Sequence, residues 1–247
     1  MRAPGAALSL CRDWASATLD LVFPRRCAAC RNPVGREGRH LCGDCLSAFQ
    51  WVRFPYCGIC GDPVDGAVDQ QFVCSMCRAA RPHFDLARSA ARFREGLKDA
   101  LHTFKYGQGT WLSRDLGIIL RACVEAHFRP AEYDAFAYVP LFHTKERERT
   151  HNQSRLLADE LSALLGKPVM HQLERSRMTP SQTHLTIRER ALNVKGAFRV
   201  RNPRWIEGRG VLLVDDVMTT GATVNEVSRV LKDAGATRVY VVTVARG

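Results

Sequence analysis
Val211-Leu212-Leu213-Val214-Asp215-Asp216-Val217-Met218-Thr219-Thr220-Gly221-Ala222-Thr223 reads as the end of a strand, a turn and the start of a helix. Four branched apolar residues in a row mark a strand buried on both faces, as in a parallel sheet. Two carboxylates, Asp215 and Asp216, stand where that strand is expected to end. A small, hydroxyl-rich turn follows, and then apolar residues at Val224, Val227, Val230 and Leu231 with helical spacing. The N–H groups and dipole of a helix N-terminus favour an anion, and threonine hydroxyls add donors. Gly221 lets the backbone come close because it lacks a Cβ. Carboxylates beside an anion repel it unless the ligand also brings sugar hydroxyls and a divalent cation such as Mg²⁺, both of which carboxylates bind. No Gly-Lys-Ser/Thr of a Walker A loop follows, and there is no G-x-G-x-x-G.

The 247 residues allow one large or two small domains, and 46% hydrophobic with 25% charged residues is an ordinary globular balance. The net charge is +11 and is unevenly spread. Residues 1–80 hold 9 basic and 7 acidic side chains, whereas residues 81–247 hold 27 and 18. The excess fits a polyanionic substrate or nucleic acid, and charge alone does not separate them. No apolar run is long enough to span a membrane, and Arg12 and Asp13 interrupt the mildly apolar start before a secretory core could form. The expected location is cytoplasmic.

Eight of the ten cysteines form four Cys-x-x-Cys knuckles: Cys27/Cys30, Cys42/Cys45, Cys57/Cys60 and Cys74/Cys77. Each knuckle presents two thiolates on one side of a tight turn, and two knuckles close one tetrahedral Cys₄ zinc site. Sequential pairing gives two zinc ribbons; a cross-braced pairing satisfies the same count. Disulfides need an oxidising compartment, and iron–sulfur ligands show other spacings. Four cysteine ligands leave no open position, so both zinc ions are expected to be structural. Cys-Ala-Ala-Cys-Arg-Asn-Pro-Val from Cys27 and Cys-Gly-Ile-Cys-Gly-Asp-Pro-Val from Cys57 form a weak internal repeat. Cys11 and Cys123 are left over, each as a buried small hydrophobe or an inert thiol.

The remaining pattern is alternating strand and helix. An amphipathic helix is expected over residues 8–22. A strand is expected over residues 83–94, a helix from about residue 97 ending at Lys105-Tyr106-Gly107, and a second helix over residues 110–128. Residues 135–140 read as a strand closed by Pro140. A turn with Leu141, His143, Lys145, Arg147 and Arg149 follows, with cations at alternating positions suited to a diphosphate. Asn152-Gln153 opens another helix. Residues 169–173 form a short strand, and the polar stretch through Arg175, Arg177, Thr179, Gln182 and Arg190 to Phe198 is read as a functional lid. A last strand covers residues 238–244. The division expected is residues 1–80 for the helix and ribbons, and 81–247 for an α/β domain with a parallel sheet flanked by helices.

Taken together, these features resemble the ComF family of competence-related phosphoribosyltransferases: four knuckles, Lys105-Tyr106, Val139-Pro140-Leu141 with His143, Arg149 with Asn152-Gln153, Arg175-x-Arg177-x-Thr179-x-x-Gln182, Arg190-x-x-Asn193-Val194-x-Gly196-Ala197-Phe198, and the final carboxylate–threonine signature. Thr150-His151 stands where members usually show Gly-Phe, and Phe142 intervenes before His143. The resemblance implies a type I phosphoribosyltransferase fold behind a double zinc ribbon. It implies Mg²⁺-dependent displacement of pyrophosphate from C1 of phosphoribosyl diphosphate, by an acceptor the sequence does not name. Asp215 and Asp216 would take ribose hydroxyls and metal; Thr219, Thr220, Gly221, Ala222 and Thr223 the 5′-phosphate; Pro140, Leu141, His143, Arg147 and Arg149 the diphosphate, helped by Arg175 or Arg177; and Lys105 would contact a phosphate. The competing reading is a catalytically silent accessory protein that binds single-stranded DNA or a partner of DNA uptake such as a competence helicase. The oligomeric state is left open.

Overall fold
The computed structural model describes residues 25–35, 40–66, 69–106, 109–179 and 186–247. The helix expected over residues 8–22, Cys11, Gly107 and Gln182 lie outside them.

Two short knuckle modules come first, carrying helices α1 (Gly43–Ala48) and α2 (Ser75–Ala79). The chain then alternates: β1 (Leu86–Arg92), α3 (Glu95–Tyr106), α4 (Ser113–His127), β2 (Ala135–Tyr138), α5 (His143–Arg149), α6 (Gln153–Leu165), β3 (Val169–Met170) and β4 (Leu173–Arg175). It closes with α7 (Ile187–Val194), β5 (Phe198–Val200), β6 (Gly210–Met218), α8 (Ala222–Asp233) and β7 (Arg238–Arg246). Five strands form one parallel sheet in the order β1-β7-β6-β2-β3, and β4 pairs antiparallel with β5 apart from it. Among the described residues no helix is long and apolar enough to cross a membrane.

The sheet is buried on both faces, as the unbroken apolar run of β6 required. Leu212 and Val214 pack in one core with Leu97, Leu101 and Phe104 of α3 and Leu157 and Leu161 of α6. Val211 and Leu213 pack in the other with Val224, Val227 and Leu231 of α8. Each of these three helices turns its apolar stripe inward, which is where most of its stability in water arises. Asn152 caps α6 by accepting from the Arg155 N–H at 3.1 Å, and Gly166 ends it with φ 71°.

The modules containing the cysteines are built into the sheet's edge. β1 is an edge strand, with an outer row of N–H and C=O groups that must be covered. The segment between the two modules covers it: Val52 N–H donates to the Ala90 carbonyl at 2.9 Å, and Arg92 N–H to the Gln50 carbonyl at 2.7 Å. The second module adds Ala87 N–H to the Ile59 carbonyl at 2.8 Å. Ala28, Leu41 and Phe49 of the first module join one core, while Cys57, Cys60 and Cys77 of the second join the other. The two modules therefore straddle β1.

Three expectations change. β6 does not end at the carboxylates but runs on to Met218, so Asp215 and Asp216 lie inside it. Residues 143–149 form a helix instead of a turn. The stretch read as one long lid contains β4, α7 and β5, and the β4–β5 pairing fixes both its ends.

Candidate functional site
The eight knuckle cysteines gather into two groups, Cys27/Cys30/Cys42/Cys45 and Cys57/Cys60/Cys74/Cys77, with the sulfurs of each group within 4.8 Å of one another. The pairing is thus sequential. Four Zn–S bonds of about 2.3 Å set the sulfurs of a tetrahedral site about 3.8 Å apart. Cys30 and Cys42 sulfurs are 3.7 Å apart, as are those of Cys60 and Cys74. The internal repeat is a structural one. Cys27 N–H bonds the Asn32 carbonyl at 2.8 Å, and Cys57 N–H bonds the Asp62 carbonyl at 2.9 Å. Arg31 and Gly61, which follow the two knuckles at matching positions, both have left-handed backbones, φ 66° and 67°. Burial pushes the Cys27 and Cys57 thiols up, but N–H donors of the knuckles outweigh it and hold both at about 7. Burial and neighbouring thiols push Cys45 and Cys77 up. A metal ion relieves that crowding by taking all four as thiolates.

The carboxylate pair sits where the face alternation of β6 slips. Leu212 and Val214 pack in one core, and so does Val217, which strict alternation would have sent to the opposite face. The N–H groups of Asp216 and Val217 are held by the Asp215 and Asp216 carboxylates at 3.0 and 2.9 Å. Lys105, at the C-terminal end of α3, reaches Asp216 at 2.7 Å, and Ser154 of α6 donates to Asp215 at 2.7 Å. Burial, then the charge of Asp216, pushes Asp215 up to about 7, against the pull of Ser154 and Lys105. Burial disfavours charge on Lys105, but Asp216 overrides it and raises the ammonium's proton affinity.

Beyond Met218 the chain turns through residues 219–221 into α8. Gly221 has φ 77°, and a Cβ there would stand 2.8 Å from the Met218 methyl carbon. Residues 219–223 line a hollow of about 40 Å³ at the α8 N-terminus, with Asp215 on its rim.

The cations gather differently from the expected set. A helix brings positions i and i+4 together and sends i+2 across. Lys145 and Arg149 accordingly share a face of α5, and Arg147 is exposed. Burial lowers the proton affinity of Lys145, and the charges of Arg175 and Arg149 lower it further. Arg175 also feels Asp215, and its guanidinium lies 5.2 Å from the centre of the Phe198 ring. Arg149 stacks on Tyr106 at 4.9 Å and bonds Gln153 at 3.1 Å. Pro140, Leu141 and His143 line a cleft of about 700 Å³ together with Arg175. Arg177 is turned elsewhere: it donates to the Asn193 and Lys195 carbonyls at 3.0 and 2.9 Å, closing the end of α7.

Three contributors have no role in the sequence reading. Ser154 reaches Asp215 from a helix 61 positions away. Arg190 of α7 donates to the Thr219 hydroxyl at 2.9 Å, and Arg246 of β7 to the Met218 carbonyl at 2.9 Å. Arg190 lay within a quoted motif without a role; nothing local marks Ser154 or Arg246.

The double zinc ribbon domain family matches residues 18–80, and the phosphoribosyl transferase domain family matches residues 151–247. Competence protein F of Haemophilus influenzae is 31% identical over 229 residues, covering 91% of this chain and 98% of its own. The chain belongs to the ComF family. DNA utilization protein YhgH of Salmonella typhimurium is 31% identical over 90% of this chain and 96% of its own, and competence protein ComFC of Bacillus subtilis 26% identical over 79% of each. This ComF chain has a type I phosphoribosyltransferase fold with an N-terminal double zinc ribbon and two zinc sites. Its departure from the ComF pattern at residue 150 has a local price. Thr150 caps α5 with φ 66°, a conformation glycine adopts freely, and its hydroxyl donates to the Arg149 carbonyl at 2.6 Å. His151 stays in the role an aromatic would fill, 6.1 Å from Phe104, and is within 3.0 Å of the Phe104 carbonyl.

Proposed function
We propose that this protein binds phosphoribosyl diphosphate with Mg²⁺ and displaces pyrophosphate from ribose C1. The observation that carries this is the order of charge along the site. Helix N-terminus and threonines come first, then the Asp215–Asp216 pair, then Lys145, Arg149 and Arg175. Phosphoribosyl diphosphate has the same order: a 5′-phosphate, sugar hydroxyls, and a diphosphate. Asp215 and Asp216 accept from the hydroxyls, the 219–223 turn takes the 5′-phosphate, and the cation cluster takes charge developing on the leaving group, where a preorganised donor is worth roughly 2.7–4 kcal/mol. The carboxylates fit a hard cation, because burial and then the charge of Asp216 penalise the ionised Asp215, and a divalent ion offsets both. Bound there, Mg²⁺ would supply countercharge to the diphosphate. Arg147 and Arg177 drop out of the first rank of this proposal, since one is exposed and the other closes α7. Residues 81–247 form the transferase unit and residues 1–80 its ribbon unit.

A second reading is a non-catalytic role in DNA uptake, in which the sugar site only senses its ligand. Relatives with competence and DNA utilization names favour it. Incubation with phosphoribosyl diphosphate, Mg²⁺ and a panel of amines and nucleobases, with pyrophosphate followed, separates the two. Turnover that vanishes in Asp215→Asn/Asp216→Asn supports the transferase. Salt-sensitive single-stranded DNA binding with no pyrophosphate from any acceptor supports the accessory role.

A further inference from the structure
We propose that Asp62 and Arg246 form a strut by which the second zinc ribbon sets the 219–223 turn in its anion-binding geometry. The inference rests on the sugar-phosphate reading above.

Arg246, in the last position of β7, is buried, with 8% of its side chain exposed. It donates to the Met218 carbonyl at 2.9 Å, to the Thr219 carbonyl, and to its neighbour Gly247 at 3.1 Å. Gly247 N–H takes the Met218 carbonyl too, at 3.0 Å. In a trans peptide the carbonyl of one residue and the N–H of the next point in opposite directions. Drawing the Met218 and Thr219 carbonyls toward the guanidinium therefore turns the N–H groups of Thr219 and Thr220 away from it. Both residues also line the hollow at the α8 N-terminus, of which Arg246 is no part. A buried cation on one side of the turn thus sorts its dipoles so that donors face the other.

The guanidinium is positioned from the ribbon. Its second amino group meets the Asp62 carboxylate at 3.1 Å. Asp62 follows the Cys57–Cys60 knuckle, its carbonyl accepts from Cys57 N–H at 2.9 Å, and its backbone bonds the Cys60 sulfur. One connected path runs from ligands of the second zinc site through Asp62 and Arg246 to the turn. Gly61 keeps the path short: with a Cβ it would meet the Ala87 carbonyl at 2.6 Å, so only glycine lets the knuckle sit this close to β1. Ribbon, strut and turn line a single cleft of about 820 Å³.

Asp62 is half-exposed and can be removed without emptying a core. Asp62→Ala is compared with Asp65→Ala, which removes another ion pair of the same ribbon, the one to Arg92 at 2.6 Å. Zinc content, melting temperature and calorimetric affinity for ribose 5-phosphate and for magnesium pyrophosphate are measured on each full-length chain. The strut predicts that Asp62→Ala keeps two zinc ions, melts within a few degrees of wild type, and weakens ribose 5-phosphate by about tenfold, a typical coupling between sites. Pyrophosphate affinity stays, Asp62→Glu restores the sugar phosphate, and Asp65→Ala changes neither ligand. Arg246→Lys, which keeps the buried charge but loses the fork, should show the same selective loss and add nothing further when combined with Asp62→Ala. Equal ribose 5-phosphate affinity in wild type, Asp62→Ala and Arg246→Lys overturns the strut alone. Failure of wild type to bind either ribose 5-phosphate or magnesium pyrophosphate overturns both the strut and the reading it rests on.

Discussion

Asp215 makes the site sensitive to pH. Its proton affinity in the folded chain is raised from the ordinary 3.8 to about 7, by burial and then by Asp216. Between those values the folded protein holds a proton that the unfolded chain has released. This group's contribution to stability is therefore complete below about pH 3.8 and is lost as the pH rises to about 7. Ligand binding runs the other way, because sugar hydroxyls and a divalent cation want the ionised carboxylate. Affinity for magnesium phosphoribosyl diphosphate should climb through neutral pH and level off above it. Ser154→Ala removes a donor that favours the ionised form, so the midpoint of that climb should move to higher pH. Calorimetry across pH 5.5–9 reads both, and an unchanged midpoint in Ser154→Ala would show that the Ser154 bond does not tune Asp215. Lys105 and the carboxylates could be named from sequence because they stand in motifs. Ser154 could not, since it is brought to Asp215 only by the docking of α6 on β6.

The two knuckles give an internal comparison of single elements. The same left-handed turn carries Gly61 in one and Arg31 in the other. At residue 61 glycine answers both a backbone angle and a carbonyl 2.6 Å from where a Cβ would stand. Gly61→Ala should cost at least about 2 kcal/mol, since strain of roughly 1–3 kcal/mol in such a backbone is joined by displacement of the ribbon from β1. Arg31→Gly should be neutral to slightly stabilising, because the open first turn relieves an angle while the unfolded chain gains freedom. Urea denaturation of both variants gives the comparison, and equal losses would mean that backbone angle outweighs close approach. α5 shows why element type decides a site. Lys145, Arg147 and Arg149 alternate in sequence, which in an extended turn puts all three on one side. Wound into a helix, they separate, and Lys145 with Arg149 faces Arg175. Residues 143–149 are rich in Lys, Glu and Arg, which are good helix formers, but they carry no apolar period to announce the helix. By contrast, β6 and α8 were legible because their apolar periods are long and unbroken.

At the scale of the whole molecule, the ribbons act as part of the sheet. Their connecting segment completes the outer edge of β1, and each packs into a different core. Chelation should therefore reach well beyond the knuckles. Zinc content should be two per chain, and Cys57→Ser/Cys60→Ser should leave one and lower the melting temperature by more than about 10 °C, as expected when several kcal/mol are lost from a chain of this size. A chain begun at residue 81 exposes the β1 edge and should self-associate, read by light scattering at increasing concentration. Monodisperse monomer at all concentrations would refute the covering role. The cysteine spacing made the ribbons readable, but not their docking, because contacts such as Val52 to Ala90 join backbone atoms that any side chain could have carried.

That arrangement also imposes an order on synthesis. The inner neighbour of β1 is β7, so Leu86 must wait for Tyr240, 154 positions downstream. During translation β1 emerges early with one partner already made and the other not yet decoded. Metal-loaded ribbons can hold that strand on the nascent chain while β2, β3 and β6 leave the ribosome, and β7 then inserts between β1 and β6 as a keystone. Zinc scarcity during growth should thus appear first as newly made chains lost to proteolysis, before any effect on protein already folded.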